Sequence, residues 1–143
     1  MKKVIVLVGM ILLFVFMAMA SYALYTKKPI TPVDLPSLKG KWSGDRVVGT
    51  KPDKYLVDLE INNDKLPIEG KLTLHKVIRG GQKGRTEVYN LLKNSEINKE
   101  GNLVIKGKEV VFELSLYTEG GKMKLEGNYK FQDLDGTLSV YKK

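Results

Sequence analysis

The chain contains no cysteine. That absence excludes a disulfide framework, thiolate zinc sites and thiol catalysis. It also excludes lipidation on a cysteine behind a leader, and it sets the chain apart from small disulfide-dense secreted modules. Asn-x-Ser/Thr acceptors are missing too, which fits a bacterial source. Histidine and tryptophan each occur once. There is no Gly-x-Ser-x-Gly, no Ser-x-x-Lys with its companion motifs and no His-Glu-x-x-His. The reading is therefore of a protein that is not an enzyme and carries no cofactor and no metal. No stretch of useful length has the 3.6-residue periodicity of an amphipathic helix.

What is present begins with a long apolar run. Lys2 and Lys3 precede Val4 to Leu24, which carries no charge. Ala18-Met19-Ala20 puts small residues where a leader peptidase reads, so cleavage before Ser21 is one expectation. The other is a retained anchor in the cytoplasmic membrane, since about 20 apolar residues span a bilayer. Lys27 and Lys28 behind the run match Lys2 and Lys3 before it, so charge asymmetry does not separate the two. Residues 1–24 are thus read as signal peptide or N-terminal membrane helix, and the remainder as lying outside the cytoplasm.

Residues 25–37 hold Pro29, Pro32 and Pro36. Each proline fixes its own φ and pushes the preceding residue toward extended backbone. The segment reads either as a stalk of about 3 Å per residue or as an arm lying on the domain.

From Leu38 to Lys143 the period is 2. Val110, Phe112, Leu114 and Leu116 alternate with Val111, Glu113, Ser115 and Tyr117. Tyr55, Val57, Leu59 and Ile61, and Met123, Leu125, Tyr129 and Phe131, follow the same pattern. This is the mark of antiparallel strands over a core. Turn residues such as Asn62-Asn63-Asp64, Lys106-Gly107-Lys108, Glu119-Gly120-Gly121 and Asp133 to Gly136 divide the segment into about eight strands. Gly70 and Gly127 fall inside strands, where bends or bulges curl a sheet. The fold class is all-β. The expected architecture is a small antiparallel up-and-down barrel, with a β-sandwich as the alternative. The inward set, from Trp42 through Phe112 to Val140, is bulky enough to fill a narrow barrel.

The first strand opens on Leu38-Lys39-Gly40-Lys41-Trp42. A Gly-x-Trp there, followed by some seven antiparallel strands, resembles the lipocalin and avidin-like (calycin) barrels. The resemblance implies that Gly40 turns the chain into the barrel and that Trp42 plugs its closed end. It also implies a binder of small apolar or amphipathic ligands. Biotin is set aside, because avidins line that site with several tryptophans. In lipocalins a late arginine packs on the tryptophan, whereas the last arginine here is Arg85.

The net charge is +8, which favours anionic neighbours, among them a membrane surface. Most lysines alternate with apolar residues and so belong to solvated faces. The run Lys76 to Arg85 is the most distinctive local feature, four basic residues with three glycines. Glycine lets a backbone approach an anion, and arginine binds phosphate or carboxylate through two parallel bonds. It reads as a gate at the barrel mouth, as a basic finger on anionic lipid, or as a solvated hairpin. Nucleic acid is not expected, because aromatics are not interleaved with the basic residues. The candidate ligand contacts are Trp42, Arg79, Lys83 and Arg85. His75 reads as a surface residue without partners fixed by spacing. Asp133, Asp135 and Glu126 could meet near the last hairpin, though a simple turn explains the aspartates. The function read from these features is binding of a small ligand in the cell envelope. The alternative is a structural or interaction domain tethered outside the membrane.

Overall fold

The computed structural model describes residues 24–48, 54–77 and 83–143. The leader or anchor read over residues 4–24, its cleavage near Ala20, and Arg79 fall outside them, Leu24 apart. No helix among the described residues is long and apolar enough to cross a membrane.

An arm comes first. It consists of β1 (Thr26–Lys28), a 3₁₀ turn (Pro32–Asp34) and a one-turn helix α1 (Leu35–Leu38). The strands that follow are β2 (Gly40–Val48), β3 (Lys54–Ile61), β4 (Gly70–Val77), β5 (Lys83–Asn90) and β6 (Ser95–Ile97). They continue as β7 (Leu103–Lys106), β8 (Val110–Glu119), β9 (Lys122–Phe131) and β10 (Leu134–Lys142). All belong to one antiparallel sheet, in the order β5-β4-β3-β2-β10-β9-β8-β7-β6. Successive strands pair with one another, and β10 returns to β2, with Lys142 opposite Trp42 and Gly136 opposite Val48. The result is an all-β sheet curled into a half-barrel.

The ring of pairing is open between β5 and β6. β6 is only three residues long. The link before it spends its backbone groups elsewhere: Leu91 N–H donates to Gly70 O (3.0 Å), and Asn94 O accepts from Lys106 N–H (2.7 Å). At the other end of β5, Lys83 pairs with Val77. Lys83, Gly84 and Arg85 therefore lie in a strand, because β4 offers backbone partners that far along.

The alternation of apolar residues becomes the concave face. Trp42, Val57, Leu59, Leu72, Leu74, Ile105, Phe112, Leu114, Leu125 and Val140 are buried there, while Met123 and Phe131 pack half-buried on their edge. Gly127 lets β9 bend onto β8, since a Cβ on it would stand 1.8 Å from the Glu113 carbonyl oxygen. Gly44 does the same for β2 against Ser139.

Of the two readings of residues 25–37, the described geometry is that of an arm. Thr26, Lys27 and Lys28 pair with Thr118, Tyr117 and Leu116 of β8. Ile30 N–H then donates to Gly101 O at 2.8 Å. Ile30, Leu35 and Leu38 are buried against the core, each worth about 1.5–3 kcal/mol of transfer free energy. Asp34 is buried and ties the arm to itself. It accepts from Lys28 Nζ, from Thr31 N–H (2.9 Å) and from the Thr31 hydroxyl (2.7 Å). These bonds, the lysine contact first, hold its carboxyl down at a pKa of about 2.

Candidate functional site

Alternate residues of β2 face the concavity: Trp42, Gly44 and Arg46. Trp42 stands at the end covered by the arm. It is fully buried, and its indole N–H donates to Leu38 O at 3.0 Å. Arg46 stands toward the other, open end of the half-barrel and is only 8% exposed.

Two tyrosines hold Arg46. Its guanidinium carbon lies 4.1 Å from the ring centre of Tyr55, its partner on β3, and 4.5 Å from that of Tyr129 on β9. Tyr129 reaches across β10 because Gly136 lies between, where a Cβ would stand 2.2 Å from the ring. Phe112 packs on Tyr129 (ring centres 5.9 Å apart) and Tyr89 on Phe112 (5.3 Å). The aromatic row thus reaches β5, across the opening in the ring of strands.

Arg46, Tyr55, Tyr89 and Tyr129 line a pocket of about 160 Å³, with Glu87, Val110, Phe131 and Leu134 also in its wall. Its polar groups are unevenly satisfied. Tyr89 donates to Glu87 Oε2 at 3.1 Å. Arg46 Nε and the Tyr129 hydroxyl are buried with no hydrogen-bond partner among the described residues. Arg46 takes no part in the ion pairs found among the described residues. Burial, with help from Glu87, pushes the Tyr89 phenol up to about 12. Burial also raises the Tyr129 phenol. Both remain O–H donors at any physiological pH.

The residues singled out from sequence scatter relative to this pocket. Trp42 closes the opposite end. Arg85 lies exposed on β5, two places from Glu87 on the same strand face. The backbone of Lys83 sits at the open end, and Arg79 is outside the described residues. Arg46 was passed over. Its signal was a basic residue in register with Trp42 and Gly44 on the apolar face of the first strand.

Two other clusters are already satisfied. On the convex face, His75 Nδ1 meets Thr86 Oγ1 at 3.2 Å, and its Nε2 meets Asp58 Oδ2 at 3.2 Å. Cross-strand register supplies these partners, which sequence spacing alone did not. A polar groove of about 610 Å³ runs over the outside of β8, β9 and β10. In it Glu113 accepts from Asn98 (2.9 Å) and Asn102 (2.8 Å), and Glu126 from Ser139 (2.6 Å) and Lys124 (3.1 Å). These bonds hold both carboxyls below the usual range, so neither serves as a proton donor near neutrality. Glu126 does not meet the last-hairpin aspartates. It pairs with Ser139, whereas Asp135 pairs with Lys130, four residues or about 13 Å further along β9. No group of three His, Asp or Glu able to hold a metal occurs among the described residues. No protein-family model, curated protein or solved structure matches the chain.

Proposed function

We propose that the domain is an exported, non-enzymatic binder that takes a small amphipathic molecule at the open end of its half-barrel. The observation that carries this reading is the buried Arg46 at the pocket wall, held by two tyrosine rings, with its Nε–H buried and without an acceptor among the described residues. A buried guanidinium N–H without an acceptor is costly. Folding alone does not call for one, since an apolar residue at position 46 would continue the row that Trp42 begins. Trp42, Leu59, Leu74, Phe112 and Leu125 are packed in the core behind it, so the ligand is small and occupies the mouth. Val77 and Lys83 pair through their backbones at the same end.

Native mass spectrometry of the chain isolated gently from its own host tests this. A native mass heavier than the denatured mass by one small compound, lost in Arg46→Met, is the expected result. Equal masses for the wild type, together with unchanged thermal stability across a panel of small amphiphiles, would reject it.

One feature favours a second reading, that of a tethered interaction domain. The arm holds Thr26 on β8, only two residues beyond the apolar run, so a retained anchor would keep the domain close to the membrane. A leader found cleaved before Ser21 would remove that reading.

A further inference from the structure

We infer that the ligand at the open end is an organic monoanion: a planar carboxylate on a compact apolar or aromatic body, seated with its carboxylate against Arg46. This rests on the open end being the binding site, as proposed above, and adds the charge, shape and orientation of what binds there.

The argument is one of donors and acceptors. Among the described residues the pocket contains one carboxylate, Glu87, which accepts a hydrogen bond from Tyr89. It lies outside ion-pairing distance of Arg46, since no such pair occurs among the described residues. The free groups are donors: Arg46 Nε and the Tyr129 hydroxyl, both buried. The missing component is therefore an acceptor, and a charged one, because the donor beside it is a cation 8% exposed. Compare Asp34, the buried carboxylate of the arm, which has three donors from Lys28 and Thr31.

Shape narrows the class. Guanidinium is a planar fork that matches a carboxylate through two parallel bonds. One cation balances one negative charge, which disfavours a phosphate dianion. The volume of about 160 Å³ is close to the roughly 150 Å³ that accommodates a single benzene. Val110, Phe131 and Leu134 supply apolar wall for the body of such a molecule. Tyr129 would add a second donor to the same carboxylate.

The probes are benzoate, benzyl alcohol and benzylamine, titrated calorimetrically at fixed salt into the full-length chain held in detergent. Benzoate is expected to bind at least about tenfold more tightly than benzyl alcohol, the gain typical of a charge-assisted pair over a neutral one. Arg46→Met should erase that preference. Arg46→Lys, which keeps the charge and loses the fork, should retain only part of it, and serves if the methionine variant fails to fold. Equal affinity for benzoate and benzyl alcohol, a preference for benzylamine through Glu87, or a benzoate preference intact in both variants would overturn the monoanion while leaving the binding site standing. No binding of any probe would remove both.

Discussion

The Lys142 ammonium lies 5.9 Å from the centre of the Trp42 ring and donates a hydrogen bond to the carbonyl of Ser37. The two residues are direct partners across β10 and β2. One lysine from the last strand therefore covers the tryptophan of the first and ties α1 down over both. Trp42→Ala should cost about 3–5 kcal/mol, because a fully buried ring is lost and the arm loses the surface it rests on. Lys142→Met should cost about 1 kcal/mol or less, the worth of a half-exposed cation–ring contact. Urea titrations of the two variants check both values, and a Lys142→Met cost as large as that of Trp42→Ala would contradict the geometry.

That pairing also shows what could be read in advance. Period-2 alternation located the core strands. The contact of Lys142 with Trp42 was not legible, because cross-strand register decides it. β1 and β6, at three residues each, are too short to carry a period, and only their partners β8 and β7 make them strands. Arg46 escaped for a related reason. A charged side chain in an apolar row reads as a surface residue until Tyr55 and Tyr129, 74 positions apart in the chain, close on it from different strands. The basic run at Lys76 to Arg85 drew attention by local density, whereas the pocket is assembled from β2, β3, β5, β8, β9 and β10.

Gly127 was read as a bend, and its contacts give the reason and a test. It faces Leu114 across β8 and β9, with the Glu113 carbonyl where a Cβ would go. Gly127→Ala should force the two central strands apart and cost about 1–3 kcal/mol, the usual range for overpacking. Gly120→Ala is a useful contrast. Nothing lies within 4 Å of a Cβ there, and its cost comes only from a φ of +51°, about 1 kcal/mol. Thermal melts of the two variants should rank Gly127→Ala as the less stable.

The arm should release under acid in a defined window. The Asp34 carboxyl is held at about 2 against an ordinary 3.8. Its folded-state pKa is depressed, so the stabilisation is complete above 3.8 and is lost as pH falls toward 2. Asp34→Asn should lower stability at neutral pH by about 1–2 kcal/mol, since Lys28 is half exposed and its share is screened. The variant should also lack the extra fall below pH 3.8. Amide hydrogen exchange at Ile30, whose N–H bonds Gly101, reads the arm directly. Equal acid sensitivity in wild type and variant would show that Asp34 does not hold it.

Tyr129 separates stability from binding. Its hydroxyl is buried without a partner, so in ligand-free protein Tyr129→Phe removes an unsatisfied group and keeps the ring on Arg46. Stability should stay level or rise by up to about 1 kcal/mol. The phenols also set an alkaline limit. Tyr89 titrates at about 12 in the fold against an ordinary 10.0, so above pH 10 the unfolded chain loses its proton first. Stability then falls with each further step in pH until about 12. The raised Tyr129 phenol acts in the same direction, so Tyr129→Phe should shallow the decline. If the same variant also loses affinity for benzoate while gaining stability, its hydroxyl is there for the ligand. A variant that instead loses stability would mean that the hydroxyl already has a partner in the folded protein.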